Sequence, residues 1–229
     1  MLLVLASSKR VSCLNIRGTR MLESVRPHAD TLLSRLARLF VPLGVPPNVL
    51  SVVALALAAA SGALIVLSAH RNSDFNSLLA LAAGLLGVSA LLDALDGALA
   101  RELRAESKKG DFLDHALDRY ADVLVLCGVI FGGYTPAKIG VAAVVGVLLT
   151  SYMGTQAQAV GFSREYRGIL SRADRLLILI LATLMNAFYQ KELRLAFLSF
   201  TILGWCMLVF AVLCNITALQ RFFYVWRRL

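Results

Sequence analysis

Long apolar runs broken by short polar connections dominate the chain and set its expected elements. A membrane-crossing helix needs about 20 mainly apolar residues. Six stretches qualify: 47–68, 78–100, 112–132, 137–159, 173–188 and 195–219. The fifth is short and has room for little tilt. Ahead of them, residues 25–39 carry Leu32, Leu33, Leu36 and Leu39, followed by Phe40, on one side, with Arg35 and Arg38 among them. That spacing predicts an amphipathic helix lying on a membrane surface. Pro42, Gly44, Pro46 and Pro47 then break it and launch the first span. The expected fold class is an all-α integral membrane protein, with six transmembrane helices preceded by an amphipathic surface helix. Its organisation reads as a basic N-terminal extension over 1–20, a juxtamembrane helix over 21–46 and a six-helix domain over 47–226.

Composition agrees. Of 229 residues, 59 % are hydrophobic and only 16 % charged, too few charges to cover a soluble domain, so lipid is the expected solvent for most of the chain. The net charge of +9, on so apolar a chain, points to anionic membrane lipid and phosphorylated substrates as partners and away from nucleic acid. Positive charges follow the short apolar start at Leu2 to Ala6 rather than precede it, which does not fit a cleaved signal peptide. Cys13, Cys127, Cys206 and Cys214 show no paired spacing, so neither a disulfide framework nor a zinc site is indicated. Basic residues orient the spans. Seven precede the first span; Arg101, Arg104, Lys108 and Lys109 fill the second-to-third connection; Arg164, Arg167, Arg172 and Arg175 lie around the start of the fifth; Arg221, Arg227 and Arg228 end the chain. Arg71, Lys138, Lys191 and Arg194 fall on the other side. Both termini are therefore expected in the cytoplasm.

Against this apolar background, six aspartates fall between positions 93 and 122. A charged side chain at membrane depth costs about 2.5–3.5 kcal/mol even on a lenient scale, and Arg101 and Arg119 are too few to neutralise them. Hard oxygen ligands of this kind suit magnesium, calcium or manganese. On a helix, Asp93 and Asp96 lie about 60° apart, with Gly97 and Ala100 on the same arc. Small residues there leave room for a ligand to approach the backbone. Asp114 and Asp118 lie about 40° apart on the next span, with Asp122 a turn further. Two antiparallel neighbours can bring both pairs together at the cytoplasmic end. A lone membrane carboxylate is often only a helix-pairing hydrogen bonder, and a Gly–Ala pair a packing notch; four carboxylates at these spacings beside a basic loop favour a shared site. Asp111 and Asp122 can equally pair with Lys109 and Arg119. His115 adjoins Asp114 but points about 100° away from it.

Read as a string, Asp93-Ala-Leu-Asp96-Gly97-Ala-Leu-Ala100-Arg101, then Gly110, Asp114 and Asp118 at fixed gaps, resembles the signature of the CDP-alcohol phosphotransferases at every fixed position. Pro47-Asn48-Val49-Leu50-Ser51 also resembles that family's entry to its first span, and the likeness covers about residues 22–226. The resemblance implies that Asp93, Asp96, Asp114 and Asp118 hold two divalent metals, Mg2+ or Mn2+, which bridge the diphosphate of a CDP-lipid. It implies that Asp118 is also the general base, and that Asn48, Val49, Leu50, Ser51, Gly97, Ala100, Arg101 and Ser107 line the cytidine-phosphate site. It further implies a homodimer. The reaction is attack by an acceptor hydroxyl on the lipid-side phosphorus, releasing CMP.

A second basic cluster bears on the acceptor. Arg164, Arg167, Arg172 and Arg175 lie close together, and Arg suits a bidentate grip on phosphate; Arg164 and Arg167 can equally be topology-setting loop charges. Ser171-Arg-Ala-Asp-Arg175 resembles the arginine pair of family members that use inositol phosphate. The stretch from Ser151 to Gly161 is similar to the archaeal archaetidylinositol phosphate synthases, with Gly154 and Gln156 where bacterial counterparts carry Lys and Arg. That resemblance implies CDP-archaeol and inositol 1-phosphate as substrates, with Arg172, Arg175, Arg164 and Arg221 on the acceptor phosphate. A phosphatidylinositol phosphate synthase, or a sister enzyme using glycerol 3-phosphate or another phosphorylated alcohol, is the nearest alternative. A cation transporter is a remote one, since broken midplane helices and an inverted repeat are not evident.

Overall fold

In a computed structural model of the chain, the described residues are 26–69, 75–162, 168–195 and 198–229, side chains 26–31 excepted. The predicted extension at 1–20, the start of the juxtamembrane segment, and Arg164 and Arg167 lie outside them. Seven α-helices follow in order: α1 (Arg26–Phe40), α2 (Pro47–Ser68), α3 (Ser77–Glu102), α4 (Lys108–Phe131), α5 (Ala137–Ala159), α6 (Arg172–Phe188) and α7 (Ile202–Trp226). Of these, α2, α3, α5 and α7 are long and apolar enough to cross a membrane. The outer surface carries many large hydrophobic side chains, among them Val52, Leu81, Phe131, Val141 and Leu219, as expected of helices facing lipid rather than water.

Local chemistry sets the helix ends. Pro47 occupies the first position of α2, where its missing N–H costs nothing. Asn76, Ser107 and Thr201 cap α3, α4 and α7 by accepting from Leu79, Gly110 and Gly204 N–H groups. Ser171 and Asp174 form a reciprocal capping box at α6.

Two expectations need correction. The helix expected over 195–219 begins at Ile202 instead, because Leu193–Leu195 and Leu198–Phe200 pair as short antiparallel strands, β1 and β2, so the chain is not wholly α. The apolar side chains of Leu195, Leu198 and Phe200 raised the hydropathy although these residues are in strands, and Thr201 caps the start of the helix. Spans two and three were also pictured as packed neighbours. Instead α2 packs extensively against both α3 and α4, which meet each other little. Gly62 of α2 and Gly128 of α4 allow this approach. A Cβ on Gly62 would lie 2.7 Å from the Leu124 carbonyl oxygen, and one on Gly128 2.5 Å from that of Gly62. The main core gathers residues such as Ile65, Leu86, Val129, Met207 and Phe210. A smaller cluster of Ala37, Leu50, Leu95, Ala98 and Leu99 seats α1 on α3 and the start of α2.

Candidate active site

Because α3 and α4 stand apart, their carboxylates look into the space between them rather than into a packed seam. Asp93 and Asp96 come from the last turns of α3, Asp114 and Asp118 from the first half of α4, and Asp122 from just past its middle. The Ser51 hydroxyl of α2 donates to Asp96 Oδ2 at 2.5 Å, and both side chains are buried. Arg172, at the first position of α6, reaches across. Its Nη1 donates to Asp93 Oδ2 at 2.6 Å, and its Nη2 lies 2.5 Å from Asp118 Oδ1. Arg119 contacts Asp118 at 3.6 Å and Asp122 at 3.2 Å, and also donates to Ser151. Arg175 approaches Asp122 at 3.8 Å. Among the described residues no lysine or arginine lies within ion-pair distance of Asp96 or Asp114, so the cluster keeps an excess of negative charge that a small cation offsets.

These residues fit a divalent ion. One donor atom each from Asp114, His115 and Asp118 falls within 4.8 Å of the others. Asp118 Oδ1 is sealed from solvent, and its close contact with Arg172 lacks hydrogen-bond alignment, so this oxygen accepts no hydrogen bond. The carboxylate oxygens of such a set suit magnesium or manganese. The inclusion of His115 departs from the sequence picture, in which it points away. Its ring turns so that Nδ1 is 3.5 Å from Asp114 and Nε2 is 3.3 Å from Asp111 one turn back. Adjacent Cα–Cβ directions did not reveal what rotation about the side chain brings together.

A pocket opens beside the cluster, with Ser51, Asp93, Asp118, Asp122, Arg172 and Arg175 among its lining. Of the other residues singled out from sequence, Asn48 and Ser107 meet at Gly110, whose Cβ would lie 3.5 Å from Asn48 Oδ1 and 3.2 Å from Ser107 Oγ. Ser107 thus caps α4 beside Asn48, and neither is among the residues lining the pocket. Gly97 and Ala100 are partly exposed, and the Arg101 guanidinium folds to within 3.7 Å of the place a Gly97 side chain would start. Val49 is exposed, and Leu50 belongs to the cluster under α1, so neither points at the carboxylates. Arg221 is buried and donates to the Thr150 carbonyl oxygen of α5 at 2.5 Å. Asp122 was left between site and structural roles by the sequence; it joins Arg119 to Arg175 and lines the pocket.

The profile described as CDP-alcohol phosphatidyltransferase matches residues 45–217. The archaetidylinositol phosphate synthase of Pyrococcus horikoshii is 32 % identical over 91 % of this chain and 98 % of its own. That of Methanothermobacter thermautotrophicus is 33 % identical over 74 % of this chain and 81 % of its own. Crystal structures of Mycobacterium tuberculosis phosphatidylinositol phosphate synthase share the fold. The one with CDP-DAG bound has a TM-score of 0.69 at 24 % identity, covering 86 % of this chain and 94 % of that one. The one in complex with manganese and citrate has a TM-score of 0.69 at 25 % identity, covering 85 % and 88 %.

Proposed function

This chain belongs to the CDP-alcohol phosphatidyltransferase family, a group of membrane-bound transferases of substituted phosphate groups, and we propose that it joins CDP-archaeol to L-myo-inositol 1-phosphate, giving archaetidylinositol phosphate and CMP. The observation that carries the reading is the meeting, in one pocket, of Asp93 and Asp118 with Arg172 and Arg175. Carboxylates without arginines fit any member of the family; arginines beside them fit an acceptor that itself carries phosphate. The names of the two archaeal relatives support the same choice.

In this reading Asp93, Asp96, Asp114 and Asp118 hold two divalent ions, Mg2+ or Mn2+. When bound, these neutralise the diphosphate and the charge developing on departing CMP. Ser51 fixes the carboxylate of Asp96. Asn48, Ser107, Gly97 and Arg101 frame the nucleotide end. Arg172 and Arg175 orient the acceptor phosphate, with Arg221 as a further contact from α7. Asp118 takes the proton of the acceptor hydroxyl, whose oxygen bonds to the lipid-side phosphorus as the bond to CMP breaks.

The same proposal extends to architecture. Helices α2 to α7 form six spans, with the charged face of α4 and the short α6 shielded by their neighbours. Helix α1 lies on the membrane with Leu32, Leu39, Arg35 and Arg38 outward, Arg38 meeting Glu102 at 3.3 Å. Both termini and the site face the cytoplasm, and two copies assemble as a homodimer. CMP release from a CDP-lipid, measured over a panel of acceptors, tests the reaction. Release with inositol 1-phosphate and not with serine is the expected result. Release with glycerol 3-phosphate alone would replace the headgroup and keep the class.

A further inference from the structure

Arg172 does something at this site that an acceptor-binding role alone does not explain. Its two terminal nitrogens bridge Asp93 of α3 and Asp118 of α4 at 2.6 and 2.5 Å. They span the gap between two helices that barely touch. Only one of the two contacts is aligned as a hydrogen bond, and Arg172 Nε is sealed from solvent with no acceptor. The guanidinium is thus held by charge and leaves part of its donor set unused. Arg175 lies on the same side of α6, about 60° around and one turn further, and lines the same pocket.

We propose that Arg172 is a positioning residue with two alternative places: it is the counter-ion of Asp93 and Asp118 while these are metal-free, and it turns to the acceptor phosphate once metal has taken them. The proposal rests on the metal and phosphate reading above. A guanidinium and a divalent ion cannot share the same two carboxylate oxygens, so each disfavours the other. While Arg172 is engaged with the aspartates, the acceptor meets Arg175 without its companion. Metal therefore comes first and completes the acceptor site, and the phosphorylated alcohol follows. The arrangement also keeps two membrane carboxylates from standing opposite each other unneutralised before metal arrives.

The experiment measures Mn2+ binding to the full-length protein in detergent, without substrates, by the loss of the free-ion electron paramagnetic resonance signal. Arg172→Gln should bind Mn2+ at least about tenfold more tightly than the unsubstituted protein, because a competing charge at contact distance is gone. Arg172→Lys, which keeps the charge and loses the two-armed bridge, should fall between them and serves where Arg172→Gln folds poorly. Arg104→Gln, a charge loss at an exposed position, should change affinity by less than about twofold. In parallel, calorimetry with inorganic phosphate should show binding to the unsubstituted protein only after Mn2+ is added. Unchanged or weaker Mn2+ binding by both Arg172 variants overturns the inference, as does phosphate binding that ignores Mn2+. An unsubstituted protein that takes up no Mn2+ overturns the metal site and the inference together. Normal Mn2+ uptake unaffected by Arg172 overturns the inference alone.

Discussion

At the scale of single residues, the aspartates were readable because helical periodicity alone places Asp93 by Asp96 and Asp114 by Asp118. Ser51 and Arg172 were singled out too, but for substrate; that they pair with Asp96, and with Asp93 and Asp118, was not readable, because they come from other helices and no pattern within α3 or α4 points to those contacts. The proposed base is tested by Asp118→Asn, which keeps size and loses the ability to take a proton. CMP release should fall by at least about 100-fold, the lower end of what a positioned base supplies, while CDP-lipid binding stays measurable by equilibrium dialysis. An Asp118→Asn enzyme with near-normal turnover removes that role. Ser51→Ala tests the support beneath Asp96. Losing a hydrogen bond that fixes a metal-binding carboxylate costs about 10- to 100-fold in affinity or activity. The Mn2+ concentration for half-maximal CMP release should therefore rise by about tenfold or more. An unchanged requirement shows that Ser51 merely fills space.

At the scale of elements, the hydropathy pattern located α2 and α5 to the residue, since lipid demands long apolar helices and prolines mark where both begin. It misplaced α7 because hydropathy registers the apolar side chains of β1 and β2 without registering their backbone. It was also silent on the position of α2 between α3 and α4. A helix that is apolar all round has no periodic face to assign, and Gly62 and Gly128 look like any other small residues until paired in space. That close approach holds α4, and with it Asp114 and Asp118, against the bundle. Gly128→Val should therefore force the two helices apart at a cost of about 1–3 kcal/mol, the range for overpacking. Thermal unfolding in detergent should occur at a lower temperature, with CMP release reduced in step. Gly84→Val is the control, because nothing lies within 4 Å of its added Cβ. Equal behaviour of the two variants would show that the α2–α4 contact is slack.

At the scale of the whole molecule, the two ends of the bundle differ in chemistry. One gathers the carboxylates and the arginines. The other is tied by uncharged groups: Asn76 donates from Nδ2 to the Ser68 carbonyl oxygen and from its backbone to that of Ala187, each at 2.9 Å. Ser68 and Tyr134 hydroxyls meet at 2.6 Å, and Thr201 donates to the Tyr134 carbonyl oxygen at 3.3 Å. This tie was not visible in the sequence, where each residue reads as an ordinary loop or cap position, whereas the distribution of lysine and arginine was. Positive loops are retained in the cytoplasm, and soluble CMP and a phosphorylated alcohol belong there too, so the charged end should face inward. Lys109 and Lys191, both exposed, lie at opposite ends. With the four native cysteines replaced, Lys191→Cys should react with a membrane-impermeant maleimide added to intact cells, and Lys109→Cys only after the membrane is permeabilised. CMP release by each labelled-site variant, measured before labelling, ensures that the protein tested is folded. Labelling of Lys109→Cys in intact cells would invert the topology and place the carboxylates on the side that soluble nucleotides do not reach.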